Sequence, residues 1–133
     1  MTNKADQAYW NHEYTDFNLH IAKPRDVIRQ WIETHFAPLR GEHRSCIEIG
    51  CYPGRFLAVF GELGYRLSGI DLAANLAALP AWLATQGYQV GDFWHEDFTE
   101  FRPQRKFDVV ASFGFVEHFT NWQEILLKHA QLV

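Results

Sequence analysis

Residues 45–56 read Ser-Cys-Ile-Glu-Ile-Gly-Cys-Tyr-Pro-Gly-Arg-Phe, and this stretch decides the fold. Its β-branched residues Ile47 and Ile49 lie in a short apolar run, which predicts a buried strand. Two glycines follow, and the apolar run that begins at Phe56 predicts a helix. Strand, glycine-rich turn and helix form the unit on which α/β proteins bind nucleotides. Glycine allows close backbone approach, and the helix N-terminus offers unpaired N–H groups.

The residues inside the turn indicate which kind of ligand it suits. Dinucleotide-binding loops follow Gly-x-Gly-x-x-Gly, whereas this loop runs Glu48-x-Gly50-x-x-x-Gly54. Tyr52 and Pro53 stand where a pyrophosphate needs small residues. A carboxylate at the strand end suits a ligand that carries an amine better than one that carries phosphates. A tight turn in some other α/β protein is the alternative interpretation of this stretch alone.

The composition is that of one globular domain. The chain has 133 residues, of which 47% are apolar and 21% are charged, so it can bury a core and does not have the composition of a disordered segment. The net charge of −4 argues against a nucleic-acid partner, because such proteins usually present a basic face. Aromatic residues make up 16% of the chain, more than a small core can hide, so some of them are expected to line a pocket or an interface.

The cysteines and histidines indicate compartment and metal content. Cys46 lies in the predicted strand and Cys51 in the loop, so neither is placed for a disulfide, which indicates a reducing, cytoplasmic compartment. The N-terminus lacks the apolar region of a signal peptide, and no run has the length of a membrane span. None of the seven histidines belongs to a recognised metal-ligand motif, and we therefore predict no metal.

A second strand is predicted to end in an acidic residue. After a short helix over residues 55–63 and a C-cap at Gly64, residues 65–71 alternate in polarity and end at Asp71. The helical crossover makes this strand parallel to the first. Asp71 lies about twenty residues beyond the loop, where an acidic side chain can accept hydrogen bonds from both ribose hydroxyls of an adenosine ligand. Alternatively, Asp71 caps a helix over 72–86, in which Pro80 predicts a kink or a break.

Two more strands follow. The third is predicted over residues 88–95, with Gly91 as a weak point or bulge. The fourth is predicted over 107–113, where the near-continuous apolar run is typical of a strand buried on both faces. Together with the first two strands, they predict an α/β fold with a parallel sheet.

Two helices flank these strands. One is predicted over residues 24–36, with Pro24 at its first position. Its buried face is predicted from apolar residues at three- and four-residue spacing: Val27, Ile28, Trp31, Ile32 and His35 or Phe36. The last helix begins at Asn121, with Glu124 three residues on as a capping box. Its buried face is predicted to carry Ile125, Leu126, His129 and Leu132.

The order and spacing of four features resemble the class I S-adenosylmethionine-dependent methyltransferases of the small-molecule type. The loop over 48–54 resembles their motif I, although Tyr52 stands where a third glycine is often found. Asp71, the pair Asp97-Phe98 and the segment from Phe107 to His118 follow in the expected order. The resemblance covers residues 45–119 and implies a Rossmann-like parallel sheet with helices on both faces. This chain would supply the first four strands of that seven-stranded fold.

The resemblance implies S-adenosyl-L-methionine as cofactor and assigns roles along the chain. Glu48 would hold the methionine amino group, directly or through water, and Asp71 would bind the ribose diol. Asp97, or Glu96 or Asp92 if the register differs, would bind the adenine amino group beside Phe98. Residues 112–115 would flank the methionine part and the acceptor. The full set of cofactor-binding candidates is Glu48, Gly50, Cys51, Tyr52, Gly54, Asp71, Leu72, Asp97, Phe98, Ser112 and Phe113.

The implied reaction is methyl transfer to a small-molecule acceptor. A hydroxyl or amine acceptor can need a general base, for which His118 is the first candidate because an imidazole titrates near neutrality, and Glu117 the second. Alternatively, His118 packs at the entry of the last helix. Two other functions remain open: an NAD-binding Rossmann oxidoreductase, and a non-catalytic module that retains the cofactor-binding fold.

The predicted domain organisation has consequences for assembly. Residues 1–22 are expected to form an N-terminal extension or a lid, and residues 23–133 a partial methyltransferase domain that lacks strands five to seven. We therefore expect a truncated chain or the N-terminal part of a longer protein. Strand four would then expose an unpaired apolar edge, which predicts a homodimer or a swapped assembly through that edge. Alternatively, the N-terminal segment or the last helix covers it.

Overall fold

Residues 18–133 are described by a computed structural model. Their four strands form one parallel sheet in the order β3-β2-β1-β4. The strands are β1 (Ser45–Ile49), β2 (Arg66–Ile70), β3 (Val90–Trp94) and β4 (Val109–Ser112). The helices are α1 (Val27–His35), α2 (Leu57–Glu62), α3 (Ala78–Thr85) and α4 (Trp122–Ala130), with a 3-10 helix at Val116–His118. The predicted α/β class with a parallel sheet is confirmed.

The first predicted strand is central in the sheet. β1 pairs with β2 on one side and with β4 on the other, so that Ile47 lies opposite both Ser68 and Val110. All strands are parallel, and their carboxyl ends therefore meet at one edge of the sheet, where α/β proteins bind ligands. The predicted irregularity in β3 is also present, because its pairing with β2 shifts register between Leu67 and Gly69. A side chain at Gly91 would overlap the Ser68 hydroxyl.

Side chains alternate between two cores, one on each face of the sheet. On one face, α1, α2 and α3 cover β1 and β2, with Ile32, Phe60 and Leu79 among the fully buried residues. On the other face, α4 and the loop before β4 cover Ile47 and Ile49 of β1. Leu57, Ala58, Val59 and Phe60 of α2 are all buried, so this short helix is stabilised by packing rather than by its length.

Helix α1 differs from the prediction in its start and in its buried face. It begins at Val27 after Asp26, whose carboxylate accepts hydrogen bonds from the backbone N–H groups of Ile28 and Arg29. Pro24 therefore lies outside the helix. Only Ile32 is buried, whereas Val27 is 78% exposed and Trp31 50% exposed. The apolar stripe predicted from spacing is wider than the surface that α1 contacts in the described residues.

Two other helices begin differently from their predictions. The predicted helix over 72–86 is shorter, because α3 begins only at Ala78; Pro80 then lies in the first turn, where its missing N–H costs nothing. The capping box at α4 is wrong in detail. The Asn121 amide donates to the Glu124 carboxylate over 3.1 Å instead of capping the helix N–H groups, and its Oδ1 is buried without a partner in the described residues.

Strand β4 lies at the edge of the four-stranded sheet. It pairs with β1 on one side, and within residues 18–133 no strand pairs with its other side. All four of its residues are half-buried, so the prediction of burial on both faces is wrong in degree. Helix α4 packs against one face of β4 through His129 and Ser112, which leaves the strand edge open. The predicted lid lies almost entirely outside the described residues.

Candidate cofactor site

A cleft opens at the carboxyl ends of the strands. It has an empty volume of about 540 Å³, counting the part that opens to solvent, within the range of small-molecule sites. The segments that follow all four strands contribute to it. Its lining consists of Gly50, Ile70, Asp71, Leu72, Glu96, Asp97, Phe98, Phe113, Gly114, Phe115 and Phe119. We refer to this set as the carboxyl-end cleft.

The glycine loop after β1 forms one side of the cleft. Gly50 has a φ of +73°, and a Cβ built there would lie 2.9 Å from Cδ2 of Phe115. Glycine is therefore required both by the backbone and by the close approach of this ring. Gly54, with a φ of +90°, has a different neighbour, because a Cβ there would overlap Leu79 of α3. Gly54 thus packs the loop against a helix and does not line the cleft.

Asp71 joins the glycine loop to the end of β2. Its Oδ2 accepts a hydrogen bond from the Tyr52 backbone N–H at 2.8 Å, and its Oδ1 accepts one from the Ala73 N–H at 2.8 Å. Burial raises the pKa of this carboxyl, while the backbone N–H groups of Tyr52, Ala73 and Leu72 act in the opposite direction. A carboxylate has about four lone-pair sites, more than these N–H groups use, so Asp71 can shape the loop and still accept a hydrogen bond from a ligand in the cleft.

Glu48 is a buried acid directly below the glycine loop. Its side chain is 4% exposed, and Oε1 has no hydrogen-bond partner in the described part of the chain. Burial raises the pKa of Glu48 well above its usual value, and the nearby Asp71 charge raises it further; a hydrogen bond from the Leu57 N–H lowers it. An unpaired buried carboxyl oxygen is costly, and a cation or hydrogen-bond donor brought to it would relieve that cost.

The segment after β3 supplies the opposite side of the cleft. Asp97 accepts hydrogen bonds at Oδ1 from both the backbone N–H and the hydroxyl of Thr99, each over 2.8 Å, which fixes the turn. Phe98 is 4% exposed and lies at the cleft, next to Glu96 and Asp97. Three acidic residues were left open in the sequence as partners of the adenine amino group. Of these, Glu96 and Asp97 line the cleft, whereas Asp92 does not.

The structure divides the predicted cofactor residues into two groups. Those that line the cleft are Gly50, Asp71, Leu72, Asp97, Phe98 and Phe113. Those that do not line the cleft are Glu48, Cys51, Tyr52, Gly54 and Ser112. In the second group, Cys51 is 1% exposed and packs so closely on Gly69 that a Cβ there would lie 2.5 Å from the Cys51 Sγ. Its contribution to the site is therefore through the shape of the loop.

Two of the residues that line the cleft were not predicted from the sequence. Ile70 is the last residue of β2 and precedes Asp71, so the convergence of parallel strand ends could have indicated it. Phe119 follows the 3-10 helix and is buried against Phe115, with ring centroids 5.0 Å apart. No local pattern marks Phe119, because it reaches the cleft only through the turn that the 3-10 helix makes.

The two candidate catalytic residues lie beside the cleft. Glu117 and His118 are on the 3-10 helix and are not among the residues that line the cleft. Glu117 is exposed, and its Oε1 lies 3.6 Å from where a Cβ at Gly114 would stand. The His118 backbone N–H donates to the Phe115 carbonyl. Their catalytic roles stay predictions.

The charge of the cleft is uniform in sign. Its lining carries three carboxylates, from Asp71, Glu96 and Asp97, and no lysine, arginine or histidine among the residues that the structure describes. The remaining surface is dominated by phenylalanine rings. Carboxylates and aromatic faces attract cations and accept hydrogen bonds from hydroxyl and amino groups, whereas they repel a pyrophosphate. The cleft therefore suits a cationic, hydroxyl-bearing ligand with a planar ring.

Within residues 18–133, each helix is too short or not apolar enough to span a membrane. The same residues contain no group of three or more His, Cys, Asp or Glu side chains that could hold a metal ion.

Comparisons with known proteins point to one family. The model of a methyltransferase domain matches residues 20–133. A ubiquinone biosynthesis O-methyltransferase of Bradyrhizobium sp. (strain ORS 278) is 31% identical over 75 residues, which cover 56% of this chain and 30% of that protein. Another protein of that name, from Rickettsia canadensis (strain McKiel), is 22% identical over 131 residues, covering 96% of this chain and 54% of its own length.

Solved structures share the fold. A S-adenosylmethionine-dependent methyltransferase from Thiobacillus denitrificans, in complex with S-adenosyl-L-homocysteine, superposes with a TM-score of 0.55 at 18% identity. The match covers 85% of this chain and 52% of that structure. The chain thus spans about half or less of the length of these relatives.

Proposed function

Because the chain belongs to the methyltransferase domain family, we propose that its carboxyl-end cleft binds S-adenosyl-L-methionine for methyl transfer to a small-molecule acceptor. The observation that carries this proposal is the lining of the cleft, in which every charged residue is acidic and most apolar residues are phenylalanine. Asp71, Glu96 and Asp97 are its charged residues, and Phe98, Phe113, Phe115 and Phe119 supply its rings. This lining suits a positively charged sulfonium ligand and disfavours the pyrophosphate of NAD.

The residues present fit this cofactor. Glu48 Oε1 has no partner within residues 18–133 and would accept an amino group through water, since Glu48 does not line the cleft; Asp71 would accept from the ribose diol. Asp97 uses one oxygen to cap its own turn and lines the cleft beside Phe98, as an adenine site requires. Gly50 lines the cleft, and its lack of a side chain lets the Phe115 ring approach the loop. When bound, the cofactor supplies an electrophilic methyl group on a positively charged sulfur.

The chain's own residues would orient that methyl group and exclude water. Phe113, Phe115 and Phe119 line the cleft with apolar rings, which would help to exclude water from the reacting groups once the cofactor is bound. The carboxylates hold the ends of the ligand and so fix its position, which is the main contribution that an enzyme makes to a direct displacement. If the acceptor is a hydroxyl, His118 on the 3-10 helix is the first candidate for a base.

The binding proposal is tested by calorimetric titration of the 133-residue chain with S-adenosylhomocysteine, with NAD as the comparison ligand. We expect saturable binding of the former alone. Asp71→Asn should weaken it, whereas Asp92→Asn, which alters an exposed carboxylate outside the cleft, should not. Binding of NAD in preference to S-adenosylhomocysteine would reject the proposal and favour the oxidoreductase alternative. Binding without methyl transfer in the complete protein would favour the non-catalytic alternative.

We further infer that the acceptor is a phenolic hydroxyl on a lipophilic small molecule. Two observations support this: the relatives named ubiquinone biosynthesis O-methyltransferase, and the phenylalanine-rich side of the cleft. The complete protein should transfer a radiolabelled methyl group from S-adenosylmethionine to catechols with an alkyl side chain, and less well to polar amines. A preference for amines would contradict this inference.

His118→Gln tests the proposed base. If His118 removes the acceptor proton, the variant should lose about 100-fold or more in kcat, the typical contribution of general base catalysis, with little change in cofactor affinity. Glu117→Gln tests the second candidate base, one residue away on the same 3-10 helix, and should change kcat less. Equal, small effects of both variants would assign His118 a structural role.

We also infer that a second copy of the chain pairs with the open edge of β4. The strand is half-buried, and within residues 18–133 no strand pairs with its side away from β1, which favours strand addition. Light scattering should show a dimer at micromolar concentration. Single cysteines placed in turn at the four positions of β4 should form oxidised dimers, whereas one at exposed Gln86 should not. A monomer at every concentration would reject this assembly.

A further inference from the structure

His129 lies on α4, behind the carboxyl-end cleft, and its hydrogen bonds define its tautomer. Nδ1 is 2.7 Å from the Ile125 carbonyl oxygen, and Nε2 is 3.1 Å from the Ser112 hydroxyl. A carbonyl oxygen can only accept, so Nδ1 carries the hydrogen and Nε2 of the neutral ring is free to accept. The Ser112 hydroxyl therefore donates to His129. Burial lowers the pKa of His129, which favours this neutral form at neutral pH.

The imidazole also contacts both aromatic sides of the cleft. Its centroid lies 5.2 Å from that of Phe98, with an interplanar angle of 70°, and 6.3 Å from that of Phe115. Phe98 follows β3 and Phe115 follows β4, and the two rings themselves meet edge to face at 5.9 Å. His129 thus bonds to the end of β4 and touches the segment after each of the two strands. Within the described residues, these three contacts converge on one side chain.

We propose that His129 is a positioning residue of the cofactor cleft, which holds Ser112, Phe98 and Phe115 in the arrangement that accepts the ligand. This inference rests on the proposed function. Ser112 ends β4 and immediately precedes Phe113, which lines the cleft. Loss of the hydrogen bond from Ser112 to His129 should therefore also displace the backbone of Phe113. Phe98 lies where the resemblance places adenine, and a rotation of its ring would change the surface offered to a planar base.

Three substitutions separate positioning from simple packing. His129→Gln places an acceptor near the position of Nε2 and keeps the bond from Ser112. His129→Asn retains a donor near Nδ1 but cannot reach Ser112. His129→Phe keeps a ring against Phe98 and loses both hydrogen bonds. A residue that only fills space would tolerate phenylalanine better than glutamine, whereas a positioning residue would show the reverse order.

The experiment is calorimetric titration with S-adenosylhomocysteine on these variants, on Ser112→Ala and on the double variant His129→Phe/Ser112→Ala. We expect His129→Phe and His129→Asn to lose about three- to tenfold in affinity, as for one net hydrogen bond, and His129→Gln to stay within about twofold of the unaltered chain. The double variant should bind no more weakly than His129→Phe, because both changes remove the same bond. Additive losses, or better binding by His129→Phe than by His129→Gln, would overturn the proposal.

A second measurement does not depend on the ligand. Long-range ¹⁵N–¹H NMR of the imidazole should show the Nδ1–H tautomer, and Ser112→Ala should shift the ring resonances of both Phe98 and Phe115. An Nε2–H tautomer, or unchanged rings, would overturn the role of His129 whatever the ligand result. An unaltered chain that gives these NMR signatures but does not bind S-adenosylhomocysteine would reject the proposed function while retaining the contact network.

Discussion

Replacing Asp71 with asparagine should weaken the fold as well as the cleft. The carboxylate accepts one backbone N–H at each oxygen, from Tyr52 in the glycine loop and from Ala73 after β2. An asparagine has one oxygen, so it can satisfy one of these donors, and its own NH₂ group must face the other. The variant therefore loses one charge-assisted hydrogen bond and leaves one N–H unpaired.

The magnitude follows from these contacts. A hydrogen bond to a charged group contributes about 1.5–3 kcal/mol. Part of this loss is offset by a lower desolvation cost. Burial raises the pKa of Asp71 because its charged form is desolvated, and a neutral asparagine does not carry that cost. We expect the free energy of unfolding to fall by about 2 kcal/mol, enough to lower the melting temperature of a domain of this size by about 6 °C.

The assay is urea denaturation at pH 7, followed by titration with S-adenosylhomocysteine under conditions in which both proteins are folded. Asp92→Asn is the matched control, because Asp92 has a side chain 57% exposed and pairs only with exposed Arg105; it should cost less than about 1 kcal/mol. If Asp71→Asn unfolds at the same urea concentration as the unaltered chain, the two backbone hydrogen bonds do not hold the loop and the reasoning fails.

Three further predictions concern groups around the cleft. Glu48→Gln should make stability less dependent on pH. Because the pKa of Glu48 is raised in the folded state, its contribution to stability is complete below about pH 4.5 and is lost progressively as the pH rises toward the raised pKa. Urea midpoints of the unaltered chain should therefore fall over that range more than those of the variant. Gly50→Ala should abolish measurable binding of S-adenosylhomocysteine, because the added Cβ would displace Phe115. Gly87→Ala is the control: Gly87 has a similar φ and a Cβ there would have no neighbour within 4 Å, so this variant should lower only the melting temperature. Equal binding by both variants would contradict this prediction. His129→Phe should remove a loss of stability on acidification. Because the pKa of His129 is lowered in the folded state, its contribution to stability is intact above about pH 6.5 and is lost progressively below that pH. Parallel pH profiles of stability for the two chains would exclude this contribution.

Local sequence alone determined the elements that build the site. The β-branched run, the two glycines and the acidic residue at the end of the second strand are all short-range signals, and each marks a backbone feature that the structure contains. β1, β2 and the loop between them lie where residues 45–71 predict. Asp71 caps the turn that follows β2 and also lines the cleft, a position compatible with either role that the sequence left open. Such features are predictable because the residues that cause them are close in the chain.

The interior of the cleft was decided by tertiary structure. Gly50 lies against Phe115, a residue far along the chain, and Gly54, outside the cleft, lies against Leu79. Likewise, His129 was predicted only as part of a buried helical face, whereas its bond to Ser112 depends on how α4 packs on β4. Sequence periodicity identifies which face of an element is apolar, but it does not say which partner covers that face. That choice depends on the packing of elements far apart in the chain, which is why the glycine loop could be predicted and its aromatic neighbours could not.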